Sequence, residues 1–349
     1  MEHNLIYPPV LRRARVLAVL EELAEIELLE GPLAGATVPG VPLVPPPPAP
    51  GTEVAANTLG LEMGLGTGGV AMILPSPDGS ARAPTNEDHF VKLPYTPLQF
   101  PAPPPPQAED LSGVRVVVLP LHSHLGPACC AASALRPGCR VAFLWHEGGA
   151  LPVTLSRTVR ELKEKRLLHA VVSAGSCFGG DLEAPNAYAG LLAAAAGDPD
   201  LVLAGIGPGV VGTAAAFAHG GMSAAIALNA ASALGAEPIL APRLSSADPR
   251  ERHRGLSHHT RAALRAALAG CRVAFPASCE VSPEGLPDRH TCEPVEASAA
   301  GLQERFGVTF ESMGRRYEDD PVFFDAAVAA VVLALGGGPE DRVPRGERA

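Results

Sequence analysis

The chain has 349 residues, 47% of them apolar and 18% charged, with a formal net charge of −10. That length exceeds what one hydrophobic core usually covers, so two domains are expected, each able to bury a core of its own. The acidic balance speaks against a nucleic-acid partner, whose phosphates require a clustered basic surface, and seven cysteines without C-x-x-C spacing suggest neither a disulfide framework nor a zinc ribbon.

A reducing, cytoplasmic setting fits that cysteine usage, and residues 1–9 lack the charged and apolar regions of a signal peptide. Residues 10–100 then carry short β-like runs at 13–20, 24–29, 53–57, 70–74 and 89–93, separated by proline and glycine. Such punctuation predicts a small barrel or sandwich of OB-like size over residues 1–100. Within it Arg12, Arg13 and Arg15 are followed by Glu21, Glu22, Glu25, Glu27 and Glu30, which reads as a solvated strand face. The proline-rich stretch 101–110 is the predicted linker.

Beyond Asp110 apolar runs alternate with amphipathic segments, the signature of βαβ units, so residues 111–338 are expected to form a doubly wound, mostly parallel α/β domain. Strands are predicted near 114–119, 140–145, 170–173, 201–204, 238–241 and 272–275. The clearest helix is 157–168, with Val159, Leu162 and Leu167 on one side and charges on the other. Residues 322–335 read as a largely buried helix stopped by the glycines at 336–338, and 339–349 as a charged, frayed tail. The uncharged stretch 201–236 is interrupted by Gly205, Gly207, Pro208, Gly209, Gly212, Gly220 and Gly221, so it is read as core rather than as a membrane span.

In open α/β sheets ligands bind beyond the carboxyl ends of the strands. The polar residues expected there are His122 and His124, His146 and Glu147, Ser176, Cys177, Asp181 and Glu183, and Arg243, Ser245, Ser246 and Asp248. The sharpest local signal is 201–213, an apolar run entering a glycine turn. Gly207, Gly209 and Gly212 satisfy G-x-G-x-x-G, and a helix beginning beyond Gly207 would offer its amides, with Val210 and Thr213, to a phosphate or carboxylate. An acidic residue on the next strand, required for nicotinamide dinucleotides, is missing. A nicotinamide oxidoreductase is therefore a minor alternative, and a plain structural turn is another.

Asp181 and Glu183 follow a glycine-rich turn and read either as helix-start residues or as acid–base or Mg²⁺-binding carboxylates. Cys177 is either a nucleophile at a helix end or a buried inert thiol. Residues 248–260 concentrate ionisable groups. Here His253, with His258 or His259, could relay a proton or ligate an ion, while Arg250 or Arg254 would neutralise substrate charge. Adjacent His258 and His259 are not expected to face one point on a regular helix, so one of them is read as structural. No defined metal spacing appears, leaving a divalent ion as an admissible cofactor without assigned ligands.

Several strings in combination resemble an uncharacterised bacterial family known only as a domain of unknown function: Leu65-Gly66-Thr67-Gly68-Gly69, Lys92-Leu93-Pro94-Tyr95-Thr96-Pro97-Leu98-Gln99, Gly179-Gly180-Asp181-Leu182-Glu183-Ala184, Gly207-Pro208-Gly209-Val210-Val211-Gly212-Thr213 and His253-Arg254-Gly255-Leu256-Ser257-His258-His259-Thr260. The resemblance spans roughly residues 12–275. It supports the architecture and a bacterial cytoplasm, and implies no activity, catalytic residue or cofactor. The residues themselves lead to a protein that binds a small anionic molecule at the sheet rim, a hydrolase or group-transfer enzyme, without nucleic-acid or membrane partners. Self-association is left open. The competing class is a non-catalytic module that senses a metabolite or recognises a protein.

Overall fold

The computed structural model describes residues 9–20, 23–43, 47–64, 69–74, 90–96, 98–213, 215–279, 281 and 284–336. Most of the Leu65-to-Gly69 string, Pro97, position 89 and the tail 339–349 therefore lie outside the described residues. The chain divides into two compact units, Met1–Thr85 and Asn86–Ala349.

In the first unit β1 (Leu11–Leu20), β2 (Leu23–Leu28), β3 (Thr37–Pro42), β4 (Glu53–Asn57) and β5 (Ala71–Ile73) close a barrel in the order β1-β2-β3-β5-β4, with a short helix α1 (Leu59–Glu62) before the last strand. β3 and β5 run parallel and the other pairs antiparallel, as in a small Greek-key barrel. Alternation along β1 buries Ala14 and Val16 against Ile26, Leu28, Val54 and Ile73, and turns Arg13 and Arg15 outward to Glu30, Glu27 and Glu53. Arg13 and Arg15 thus form a solvated face, where exposed pairs contribute little, whereas Arg12 lies on the inward side of the strand, half-buried and paired with Glu62 at 2.9 Å. β3 escapes the sequence reading because its string, Thr-Val-Pro-Gly-Val-Pro, carries residues that ordinarily end strands.

The second unit opens with a hairpin, β6 (Phe90–Lys92) and β7 (Phe100–Ala102). The sequence places this segment with the barrel and the head of the linker. In the structure the buried amine of Lys92 donates to the carbonyls of Ser173 and Ala184, which joins the hairpin to the α/β unit.

The sheet strands and helices that follow are β8 (Val116–Leu119), α2 (Leu125–Leu135), β9 (Val141–His146), α3 (Arg157–Glu164), β10 (Ala170–Ala174), β11 (Leu182–Ala184), α4 (Ala187–Ala196), β12 (Leu201–Ile206), α5 (Ser223–Ala233) and β13 (Ile239–Leu240). Then come the small pair β14 (Leu244–Ser245) and β15 (Gly255–Leu256), α6 (His258–Ala266), β16 (Arg272–Pro276), β17 (Thr291–Val295), α7 (Leu302–Phe306), the pair β18 (Glu311–Ser312) and β19 (Arg315–Arg316), and α8 (Pro321–Leu335). Eight strands form one parallel sheet in the order β11-β10-β9-β12-β8-β13-β16-β17.

Successive side chains of a strand point to opposite faces, and both faces are covered. Val117, Leu119, Phe143, Trp145 and Leu203 pack under α2, α3 and α8. Val116, Val118, Leu144, Val202 and Ala204 pack under α4, α5 and α6. The chain runs outward from β8 to β11, returns through β12 and then leaves on the other side of β8. The reversal at β12, β8 and β13 brings the loops after these strands to one part of the rim, where open α/β sheets bind ligands.

Candidate functional site

Four imidazoles gather beyond this reversal. His219 ends the loop after β12, His253 lies in the excursion closed by β14 and β15, and His258 and His259 begin α6. His219 stacks on His259 with ring centroids 3.7 Å apart, His258 lies 4.4 Å from His259, and His253 is 4.8 Å from both His258 and His259. One ring nitrogen from each of His219, His258 and His259 falls within 4.8 Å of the others.

The sequence expectation that adjacent His258 and His259 diverge is corrected. Side chains of a helix tilt toward its N-terminus, and in the first turn there is no preceding turn to separate them. Both rings therefore project past the helix start. Ser257 fixes that start by accepting the His259 amide at 3.2 Å, and its hydroxyl also bonds Nδ1 of His253 at 2.7 Å.

Burial drives the chemistry of these rings. It lowers the pKa of His253 to about 3 and of His259 to about 2, with the neighbouring cations and imidazoles adding to the effect. His219 and His258 are lowered for the same first reason. The rings are therefore neutral near pH 7, with lone pairs for a proton or an ion. His219 bonds the Ala216 carbonyl through Nε2 at 2.9 Å, so Nε2 carries the hydrogen and Nδ1 the lone pair. That Nδ1, like Nε2 of His258, is buried without a hydrogen-bond partner among the described residues.

Beside the imidazoles lies a buried ionic network. Arg243 is 3% exposed, its amide donates to Thr260 Oγ1 and its carbonyl accepts from Ser257, which pins the residue to the start of α6. Its Nη1 approaches His259 Nδ1 at 3.3 Å and its Nη2 approaches Asp248 at 3.3 Å. Nε of Arg243 has no partner among the described residues. Burial and then repulsion from Arg250 lower this guanidinium to about 10, so it stays charged. Asp248 is fully buried and also accepts two bonds from Arg250 at 2.9 Å and one from Arg315 at 3.4 Å. Burial alone would raise its carboxyl, and the bonds and charges of Arg250 and Arg243 carry it well below the usual range. Asp320, just before α8, accepts from Ser245, Ser246 and Arg315.

The other expected site residues lie elsewhere. Asp181 and Glu183 do not begin a helix. Gly179, at φ +88°, turns the chain back into edge strand β11, and the next helix is capped by Asn186. Asp181 accepts the Val171 amide and pairs with Lys163, while Glu183 pairs with buried Lys92 at 3.1 Å. β11 stands five strand positions from β13, about 24 Å at ordinary strand spacing, so these carboxylates do not join the histidines. Cys177 is fully buried and its thiol is pushed up to about 12, mainly by desolvation, which makes it the inert thiol of the two readings. Arg250 is committed to Asp248, and Arg254 is exposed.

The glycine turn is also corrected. No helix begins beyond Gly207; helical structure resumes only at Gly220–Met222 and α5. The turn packs against the loop after β9 instead. Ala150 donates to the Pro208 carbonyl, Val211 to that of Gly148, and Thr213 to that of Ala218. A Cβ on Gly207 would lie 2.3 Å from the Ala150 carbonyl, and one on Gly212 would meet the backbone of His219 at 2.4 Å. The amides of Val211 and Thr213 are spent within the chain, and the fingerprint lacks the helix that dinucleotide binding requires.

Sequence reasoning missed His219, Arg315 and Asp320 as members of the site. His219 carried a readable signal, an imidazole just before Gly220-Gly221 and an alanine-rich helix on a strand-to-helix connection. Arg315 and Asp320 come from the far end of the chain and carried none.

A family model described as "Protein of unknown function (DUF3866)" matches residues 43–331. No curated protein and no solved structure matches the chain.

Proposed function

We propose that this chain, which belongs to that family, binds a small phosphate- or carboxylate-bearing molecule at the rim beyond β13, beside the start of α6, and acts on it by hydrolysis or group transfer. The observation that carries the reading is Arg243, a buried guanidinium with an Nε donor that has no partner among the described residues and an Nη1 turned to a cluster of neutral imidazoles. A buried charged donor left unmatched is costly, and an anion would satisfy it. The N-terminus of α6, nine residues long, adds a favourable dipole.

In this site Arg243 holds the charge of the bound group. His258, whose Nε2 lacks a partner among the described residues, takes or gives the proton at that atom. His253, oriented by Ser257, stands next to His258 to share the proton. Among the described residues no helix is long and apolar enough to cross a membrane.

The test is thermal denaturation and calorimetry of the full chain with inorganic phosphate, sugar phosphates and small carboxylates, alongside hydrolysis of generic phosphate and carboxylic esters. Saturable stabilisation that disappears in Arg243→Gln is expected, because a ligand of the native state shifts unfolding by mass action. Responses that are the same in wild type and variant overturn the site. Binding without any turnover overturns the enzymatic part and leaves a sensing module.

A further inference from the structure

We infer that His219, His258 and His259 bind one divalent transition-metal ion, with Gly221 providing the space it occupies. The inference names a cofactor for the rim site, and it rests on the anion reading only for what the ion would do there. An ion on Nε2 of His258 takes the lone pair assigned above to the proton, so with the ion bound that role falls to His253 alone.

The ring of His219 is already set for the task. Its Nε2–H goes to the Ala216 carbonyl at 2.9 Å, leaving a buried Nδ1 lone pair with no partner among the described residues. A backbone carbonyl on the far ring nitrogen is the usual support of a metal-ligating histidine. His258 has a second buried nitrogen, Nε2, without a partner among the described residues, and one nitrogen of its ring lies in the same 4.8 Å cluster. Gly221 supplies an independent observation. A Cβ there would sit 3.0 Å from Nδ1 of His219 and 3.2 Å from Nδ1 of His259, so both nitrogens face one space that any other residue would fill.

The present rings are not in final ligating positions. An ion lies in the plane of each imidazole that binds it, whereas His219 and His259 are stacked with 19° between their planes. One ring must turn, and His259 is the less constrained, held at Nδ1 by the 3.3 Å contact from Arg243. Turning it releases Nη1, so that the ion and a bound anion would assist each other. Arg243 and the start of α6 both oppose a cation, which selects ions that imidazole holds strongly, such as Zn²⁺, Co²⁺ or Ni²⁺, over Mg²⁺ or Ca²⁺.

The experiment takes the full chain through EDTA and titrates it with Co²⁺, read by visible absorption, and with Zn²⁺, read by retained metal after gel filtration. One equivalent per chain is expected, with His219→Gln and His258→Gln weakened by more than about tenfold. Gly221→Ala removes no ligand, yet should weaken binding by a similar factor with its fold unchanged by circular dichroism. Failure of the wild type to retain either metal, or equal binding by wild type and all three variants, overturns the inference. Phosphate titration of the metal-free protein separates the two proposals. A response lost in Arg243→Gln, with no metal retained, leaves only the anion site standing; metal retained without any phosphate response leaves only the metal centre.

Discussion

Nη1 of Arg243 lies 3.3 Å from Nδ1 of His259, so this buried guanidinium is shared between the imidazole cluster and Asp248. The shared position sets two opposing demands on the residue. Arg243→Gln keeps a neutral donor only near the position of Nε and removes the charge together with the Nη groups that reach His259 and Asp248. The expected outcome is loss of the phosphate-dependent rise in melting temperature and a cost of about 2 kcal/mol from the lost contact with Asp248. Urea unfolding with and without phosphate measures both, and a retained phosphate response would show that the anion does not depend on this guanidinium.

Asp248 has a larger part in stability. It is fully buried and holds Arg243 and Arg250, which flank it in the stretch after β13, and Arg315 from the far end of the chain. Asp248→Asn leaves these cations without their common carboxylate, and removing one partner of a buried ionic set typically costs about 3–5 kcal/mol. Arg250 is partly solvated, so Arg250→Met should cost distinctly less. Denaturant midpoints that reverse this order would contradict the burial of the network.

Much of the second unit was legible because β9 and β12 are buried on both faces, and continuous apolar strings such as Leu201–Ile206 follow directly from that burial. Edge elements were not. β11 is three residues long and carries Glu183, whose charge is matched by Lys92 from a hairpin far away in sequence. Nothing local reports such a partner, and the segment reads as a helix start. Polar residues are expected after the strand ends, and in the structure the imidazoles gather there beside the start of α6 rather than at the glycine turn. Glycines 207 and 212 are required by loop-on-loop packing, while His219 and His259 meet only through tertiary structure. That His258 and His259 can both project past the helix start into one cluster was readable in principle from their position next to Ser257.

Acid should weaken the fold well before ordinary carboxylates protonate. His124 and His146 are buried, and desolvation lowers them to about 3 and about 4 from the ordinary 6.5. In each case the folded value lies below the unfolded one, so the unfolded chain binds more protons in between. The stability is complete above pH 6.5 and is lost as the pH falls toward 4. His146 alone contributes a loss on the order of 3 kcal/mol across that interval. Urea unfolding at several pH values should show the decline, and His146→Gln should make it shallower by that ring's share, with His124, His253 and His259 still contributing. A midpoint constant from pH 7.5 to pH 4.5 would contradict the burial of both rings.

The glycine turn gives the most direct contrast between packing and ligand binding. A Cβ on Gly207 would come within 2.3 Å of the Ala150 carbonyl and 2.4 Å of the Trp145 ring, both held in place, since Trp145 Nε1 donates to that same carbonyl. Gly207→Ala must therefore separate the two loops, with an expected cost of more than about 3 kcal/mol, at the upper end of overpacking effects. Gly209 has no described atom within 4 Å of such a Cβ and differs only in its φ of +73°. Gly209→Ala should cost about 1 kcal/mol, the ordinary penalty of a left-handed non-glycine residue. If the turn cradled a phosphate, its open glycine would be the sensitive one for binding. Packing predicts that Gly209→Ala leaves the phosphate response of the stable protein intact, and calorimetry on that variant decides between the two.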